Sequence, residues 1–284
     1  MNDSNYTNDL DTLRTWVGRT QEHVEVINVA HCNLMEQTLD RAPVLQNGDP
    51  LPPLWHFITH LSSATLSRLG RDGHPMRGDF LPPVALPRRM WAGGRFTFHG
   101  DITLGDEVTK RSSVENIELK EGRTGSLCFV TVQHELAVDG QVRVVEEQDL
   151  VYREDPAPDA PKPAPKPAPE RADFTRTISP SEVMLFRYSA LTFNGHRIHY
   201  DRDYARDVEG YQSLVFHGPL TATLLADLAV AETGKRLTSF TFRGLAPLFD
   251  DEPFTISGSR DGDELSLWAT TPSGGIAMQA SATV

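Results

Sequence analysis

GPLTATLLADLAVA, residues 218–231, decides the fold. Gly218 suits an N-cap and Pro219 the first helical position, so the run opens as a helix. Alanine and threonine alternate with leucine, which leaves the helix apolar almost all round. Such a helix is buried on most faces and needs other elements packed about it. Those elements lie downstream. Residues 253–260, 264–271 and 275–284 read as strands, and the RDGD and PSGG connections suit tight hairpins. An antiparallel meander closing over a buried helix is expected.

The same ending occurs earlier in the chain. FTFHG at 96–100 matches FTFRG at 240–244, and Leu104 and Asp106 match Leu248 and Asp250, all at one offset of 144 residues. Strand-like runs follow at 111–119, 126–137 and 141–152, joined by EGRTG and VDG. Helical material precedes the first repeat at 10–20 and 30–39. Between the copies lies EDPAPDAPKPAPKPAPER, residues 154–171. Its alternating prolines block helix and sheet. It is either an extended polyproline II segment, rising roughly 3.1 Å per residue, or a tether without a fixed path. The expected organisation is 1–153, a linker at 154–171, and 172–284. The expected fold class is α+β, a double hotdog: two fused domains, each a curved antiparallel sheet wrapped around a central helix.

Composition narrows the function. The formal net charge of -12 disfavours a general nucleic-acid binder, though a local basic patch still admits an anionic ligand. No 18-residue apolar span is present, so no membrane partner is expected. Residues 1–10 lack a basic start and an apolar core, and Cys32 and Cys128 form no CxxC pair, which points to a reducing cytoplasm. GxGxxG is absent, which disfavours a Rossmann dehydrogenase.

The densest chemistry is at 188–220, YSALTFNGHRIHYDRDYARDVEGYQSLVFHGPL. Asn194, His196, His199, Tyr200 and Asp201 fall within eight positions, and His217-Gly218-Pro219 opens the helix. This run resembles the hydratase motif of the MaoC-like, or (R)-specific enoyl-CoA hydratase, family: Asp-x-Asn-Pro-x-His followed by His-Gly. His199 matches the terminal histidine, and His217-Gly218 the later pair. Asn194 stands in place of the aspartate, and His196-Arg197 in place of Asn-Pro. Both departures, with LPRRMWAGGRFTFHGDI at 86–102, resemble the double-hotdog branch acting on itaconyl-CoA and 3-methylfumaryl-CoA (mesaconyl-CoA). Mitochondrial 3-hydroxyacyl-thioester dehydratases are similar over the same run. The resemblance implies a hydro-lyase acting on an α,β-unsaturated acyl-CoA. No cofactor is implied beyond the coenzyme A of the substrate, and double-hotdog units of this kind are open to homo-oligomeric assembly.

The residues support that chemistry independently. Adding water to a conjugated thioester needs a base near neutrality, a holder for water, and a donor for the developing enolate oxygen. His199 fits the base. Asn194 fits the holder, through its amide oxygen and nitrogen, and as a neutral group it leaves the acid–base work to His199. The backbone N–H of Gly218, at a helix start, fits the donor. His196 reads as a loop hydrogen-bonding residue, and His217 as packing rather than a second base. A metal held by His196, His199 and Asp201 is the competing reading, disfavoured because no further ligand cluster is evident.

Arg88, Arg89 and Arg95, with Trp91, form the clearest basic cluster. It reads either as a subsite for coenzyme A phosphates or an acyl carboxylate, or as a solvated strand edge. Arg197 competes for the carboxylate. The first half lacks the Asn-x-x-x-x-His constellation, so it is expected to complete the substrate tunnel and do no chemistry. A thioesterase, with Asp201 as its acid, and a non-catalytic acyl-CoA sensor are the alternatives from other classes.

Overall fold

In the computed structural model the two FTF segments are hydrogen-bonded neighbours. The structure describes residues 6–61, 64–122, 125–155 and 165–284. Among the described residues there are ten strands: β1 Thr20–Val26, β2 Arg88–Phe98, β3 Glu107–Gly122, β4 Gly125–Val138, β5 Gln141–Arg153, β6 Phe174–Ile178, β7 Ser239–Gly244, β8 Phe254–Asp261, β9 Glu264–Thr270 and β10 Ile276–Thr283. They form one antiparallel sheet in the order β1-β3-β4-β5-β2-β7-β10-β9-β8-β6. The order reads the same from either end once equivalent strands are matched. At its centre Phe96 pairs with Phe240, its own repeat equivalent. A repeat residue opposite its copy requires an approximate two-fold axis between them.

Both phenylalanines are fully buried, and their rings lie 6.2 Å apart. Phe242 stacks on Phe96 at 6.1 Å, and Trp91 and Phe57 join the cluster from the first half. Aromatic pairs in this geometry contribute about 0.5–1.5 kcal/mol beyond their area burial. The seam between the repeats is therefore core, with no exposed sheet edge.

Among the described residues four α-helices accompany the sheet: α1 Leu10–Arg14, α2 Val29–Thr38, α3 Glu182–Leu191 and α4 Gly218–Thr233. The Asn28 side chain caps α2 and that of Ser181 caps α3, and the two helices pack together. α4 is the buried helix, with every residue from 220 to 229 buried against β8, β9 and β10. Its N-cap is His217, one residue earlier than the sequence suggests, because Gly218 is already helical. Asp227 interrupts its apolar surface and accepts a 2.8 Å bond from Arg41 of the first half.

The halves differ at the position of α4. Among the described residues between α2 and β2, the helical pieces are 3-10 turns at Trp55–Ile58 and Leu66–Arg68. Pro50, Pro52 and Pro53 deny this stretch the backbone donors of a helix. Leu54, Trp55 and Ile58 fill the space instead, each essentially inaccessible. The central helix expected in each half is therefore long only in the second.

Of the proline-rich stretch, 156–164 lies outside the described residues. Residues 165–168 run along the β9–β10 turn, where Ile276 N–H donates to Lys166 O at 2.7 Å and Ala168 N–H to Gly274 O at 3.0 Å. No helix among the described residues is long and apolar enough to cross a membrane.

Candidate active site

His199 ends a single 3-10 turn, Arg197–His199, and is buried. Its Nδ1–H donates to the Val215 carbonyl at 2.7 Å. The reverse tie, Val215 N–H to Ile198 O at 2.9 Å, fixes the turn to the segment entering α4. A carbonyl can only accept, so Nδ1 carries the proton and Nε2 keeps its lone pair. The ring is presented in the tautomer that a base needs. Burial pushes its pKa down to about 4, only partly offset by the bond to Val215. The imidazole is therefore neutral at physiological pH.

His217 stacks on His199 at 3.7 Å with the rings 19° from parallel. It is fully buried and shares a 2.9 Å hydrogen bond with Ser189 through Nε2. Burial, then the neighbouring His199 and His196, hold its pKa well below the usual imidazole range. The packing role expected for His217 fits this environment, since a second positive charge against His199 would be costly. Gly218 follows at the first turn of α4. An added Cβ there would meet no atom within 4 Å, so open space adjoins the helix start.

Asn194 departs from its expected part. Its Oδ1 accepts the His196 N–H at 3.0 Å, closing the loop before the 3-10 turn. That oxygen is engaged in local structure, which leaves Nδ2 as the free end of the amide. His196 sits edge-on to His199 at 5.3 Å. It is more than the loop residue the sequence suggests, because its ring also lies 4.1 Å from that of His74.

His74 comes from the first half. Its Nδ1–H donates to Asp72 Oδ2 at 2.9 Å, and its N–H bonds Asp72 Oδ1 at 3.1 Å. The Asp72 carbonyl receives Arg197 N–H at 2.9 Å, which docks the first-half loop on the histidine turn. Burial, then the field of Arg89, lowers the His74 pKa, although Asp72 pulls the other way. Asp72, His74 and His196 each bring one ligand-type atom within 4.8 Å of the others, so they have the reach to hold a metal ion. This differs from the His196–His199–Asp201 set considered from sequence. Asp201 is turned away and binds Arg197 and the Tyr204 N–H.

Three of the arginines singled out from sequence are already paired. Arg88 is buried in an ion pair with Glu209. Arg95 bridges Glu147 and Asp149 on β5 at 2.5 and 2.6 Å. Arg197 binds Asp201 at 2.8 Å and lies 4.1 Å over the Tyr204 ring. Trp91 is half-buried in the seam, its Nε1–H on Gly93 O at 2.8 Å. Arg88, Arg95 and Trp91 thus tie strands and halves together, a role hidden from sequence because Glu209, Glu147 and Asp149 lie far along the chain. Arg89 has no carboxylate partner among the described residues. It pairs in register with Tyr152 of β5 and is an electrostatic neighbour of His74 and His196.

Comparison with known proteins bears on the family and the fold. The model of the family described as hydroxyacyl-thioester dehydratase type 2 matches residues 54–250. The mesaconyl-C(4)-CoA hydratase of Chloroflexus aurantiacus is 45% identical over 267 residues, 93% of this chain and 95% of that protein. The mitochondrial hydroxyacyl-thioester dehydratase type 2 of Schizosaccharomyces pombe is 28% identical over 77% of this chain and 80% of its own length. Among solved structures, HtdX of Mycobacterium tuberculosis superposes with a TM-score of 0.68 at 18% identity, covering 93% of this chain and 98% of its own. Another M. tuberculosis protein, described as having a double hotdog fold, covers 94% of this chain and 96% of its own at a TM-score of 0.56 and 12% identity. The chain belongs to the hydroxyacyl-thioester dehydratase type 2 family, enzymes of the hydratase and dehydratase class, and has a double-hotdog fold.

Proposed function

We propose that the protein hydrates an α,β-unsaturated C5-dicarboxylyl-CoA, with 3-methylfumaryl-CoA (mesaconyl-C4-CoA) as the preferred substrate. What carries the chemistry is the Nδ1–H bond from His199 to Val215, which leaves Nε2 unprotonated on a ring stacked against His217, the residue before the open first turn of α4. What supports the acyl group is the 45% identity to a mesaconyl-C(4)-CoA hydratase across almost the whole chain.

In this reading His199 Nε2 takes a proton from water, and the water oxygen bonds to the β-carbon. The displaced electron pair moves through the α-carbon onto the thioester oxygen. The backbone N–H of Gly218 receives that charge, since a helix start offers unpaired donors and partial positive charge. His199 then returns its proton to the α-carbon. Asn194, with Oδ1 held by the loop, orients water or substrate through Nδ2. A low pKa suits the return step, because a weak base becomes a strong acid once protonated.

Itaconyl-CoA is a poorer candidate, because its double bond is not conjugated with the thioester and has to migrate first. A fatty-acid type 3-hydroxyacyl-thioester dehydratase is the second reading, favoured by the 28% identical mitochondrial relative. A thioesterase has little support, since Asp201 is tied to Arg197. The test is the absorbance of the conjugated thioester with purified protein. Faster loss with mesaconyl-C4-CoA than with crotonyl-CoA is expected; itaconyl-CoA, which lacks that chromophore, is followed by chromatography of the hydrated product and should turn over more slowly. Turnover of crotonyl-CoA alone would move the assignment to the fatty-acyl reading.

A further inference from the structure

The mechanism above leaves Asp72, His74 and His196 unused, although they adjoin His199. Two kinds of ligand suit such a group: a divalent cation, or an anion. The surroundings decide between them. Arg89 is the arginine of the sequence cluster whose charge is unanswered by a carboxylate among the described residues, and it is a neighbour of both histidines. A fixed guanidinium repels a second cation and attracts an anion. The Asp72 carboxylate is already occupied by two bonds from His74. That contact sets Nδ1 as a donor and turns Nε2 away from Asp72. Asp72 therefore serves to orient His74.

The substrate chemistry sets the place of such an anion site, an inference that rests on the function proposed above. In mesaconyl-C4-CoA the free carboxylate is bonded to the β-carbon, the atom that receives water. Its receptor has to lie within a few ångströms of the catalytic base. The His196 and His199 ring centres are 5.3 Å apart, and those of His196 and His74 are 4.1 Å apart. Arg88, Arg95 and Arg197 are committed to Glu209, Glu147 with Asp149, and Asp201.

We propose that Arg89, His74 and His196, with Asp72 holding His74, form a subsite for the free carboxylate of the acyl group. Arg89 supplies the fixed charge and a forked pair of donors. His196 offers the single N–H of its neutral ring, and His74, its own Nδ1–H held by Asp72, packs against His196 at 4.1 Å and fixes its position. Both halves of the chain then contribute to substrate recognition: the second carries the water chemistry, and the first selects a dicarboxylyl over a monocarboxylyl thioester.

The test is binding, which needs no turnover. Methylsuccinyl-CoA with the carboxylate on its β-carbon and isovaleryl-CoA differ only by carboxylate against methyl, and neither has a double bond to hydrate. Titration calorimetry on the full chain should show methylsuccinyl-CoA bound about 10- to 100-fold more tightly, the span of one charged hydrogen-bonded contact. Arg89→Met should erase most of that preference, and His74→Gln part of it. Isovaleryl-CoA, which reaches only the coenzyme and thioester contacts, reports whether each variant remains folded. Equal affinity of the wild type for the two ligands would overturn the subsite, and so would a preference that survives Arg89→Met. Stoichiometric zinc uptake lost in His74→Gln would assign the cluster to a cation and overturn it as well. Failure of the function itself reads differently, as absent turnover of mesaconyl-C4-CoA whatever the binding result.

Discussion

Gly73 and Gly195 meet backbone to backbone at the junction of the two halves. A Cβ on Gly195 would stand 2.8 Å from the Gly73 carbonyl oxygen, and one on Gly73, at φ +87°, would overlap the Gly195 carbonyl. Each glycine directly precedes a histidine of the site, His74 and His196. The close approach of the two backbones is what lets those rings sit 4.1 Å apart.

Gly195→Ala should therefore push the two loops apart. The obstacle is backbone on both sides, so relief requires moving a whole loop. The Arg197 N–H to Asp72 O bond would stretch, and His74 would withdraw from His196. A stability loss of about 1–3 kcal/mol is expected for such overpacking, with a fall in kcat/KM of about tenfold or more from displaced site groups. Thermal melts and steady-state kinetics check both. Wild-type kcat/KM in Gly195→Ala would show that the glycine contact does not govern the site.

His199→Gln keeps approximate size but removes the base, so kcat should fall by about 10²–10⁴-fold. The pH dependence of the wild type carries more information. The active form is neutral, and its pKa is lowered to about 4 by burial. The ring stays unprotonated above that value, so kcat/KM should be flat through the range where an ordinary imidazole titrates. The acidic limb should appear only toward pH 4. Short assays after a pH jump separate this limb from acid unfolding. A limb near pH 6.5 would mean that the ring is not buried when it acts.

How much of this was legible in the sequence depended on the kind of signal. α4 and both meanders were readable, because a helix apolar all round and strands with hairpin turns have local patterns. The FTF repeat announced the duplication, and the two-fold relation follows only from the structure, which places Phe96 opposite Phe240. β1 and β6 were missed. They are short edge strands at the ends of the sheet, and TQEHVEV and FTRTI carry more polar than apolar residues. The ion pairs of Arg88 and Arg95 were missed because a basic cluster in sequence says nothing about distant carboxylates. Asp72 and His74 were missed because they lie in a Gly- and Pro-rich stretch without periodicity. The available signal was the repeated Gly-His dipeptide, at 73–74 and 195–196.

The first half has a second buried polar pair. His56 Nε2–H donates to Glu146 Oε2 at 3.1 Å, with both side chains almost inaccessible. Burial alone would raise the Glu146 carboxyl. The bond from His56 and the fields of His134 and Lys110 outweigh it and hold the pKa at about 2. Glu146→Gln should cost about 2–4 kcal/mol by leaving the pair unmatched.

Acid should destabilise the fold in two overlapping windows. His134 and His199 have folded pKa values of about 4, below the ordinary 6.5. Their contribution is complete above pH 6.5 and is lost as pH falls toward 4. Glu146, at about 2 against 4.5, contributes fully above pH 4.5 and loses its share as pH falls toward 2. Unfolding free energy measured by denaturant titration should decline steadily below pH 6.5. A flat profile down to pH 4.5 would contradict the buried, neutral state of the histidines.

Gly218→Ala separates a helix cap from a catalytic contact. Gly218 is the first helical residue of α4, and a Cβ there would meet no atom within 4 Å. Alanine is the better helix former, by about 0.5–1 kcal/mol within a helix and less at its first turn. The folded protein should therefore be unchanged or slightly more stable. The open space is where the thioester oxygen approaches the Gly218 N–H in the proposed mechanism, and a methyl group there obstructs it. kcat should fall by about 10-fold or more, within the range for weakening one oxyanion donor. Lower activity without lower stability is the expected signature, read from paired kinetics and melting curves. Full activity in Gly218→Ala would leave the glycine with a structural role only and place the thioester elsewhere.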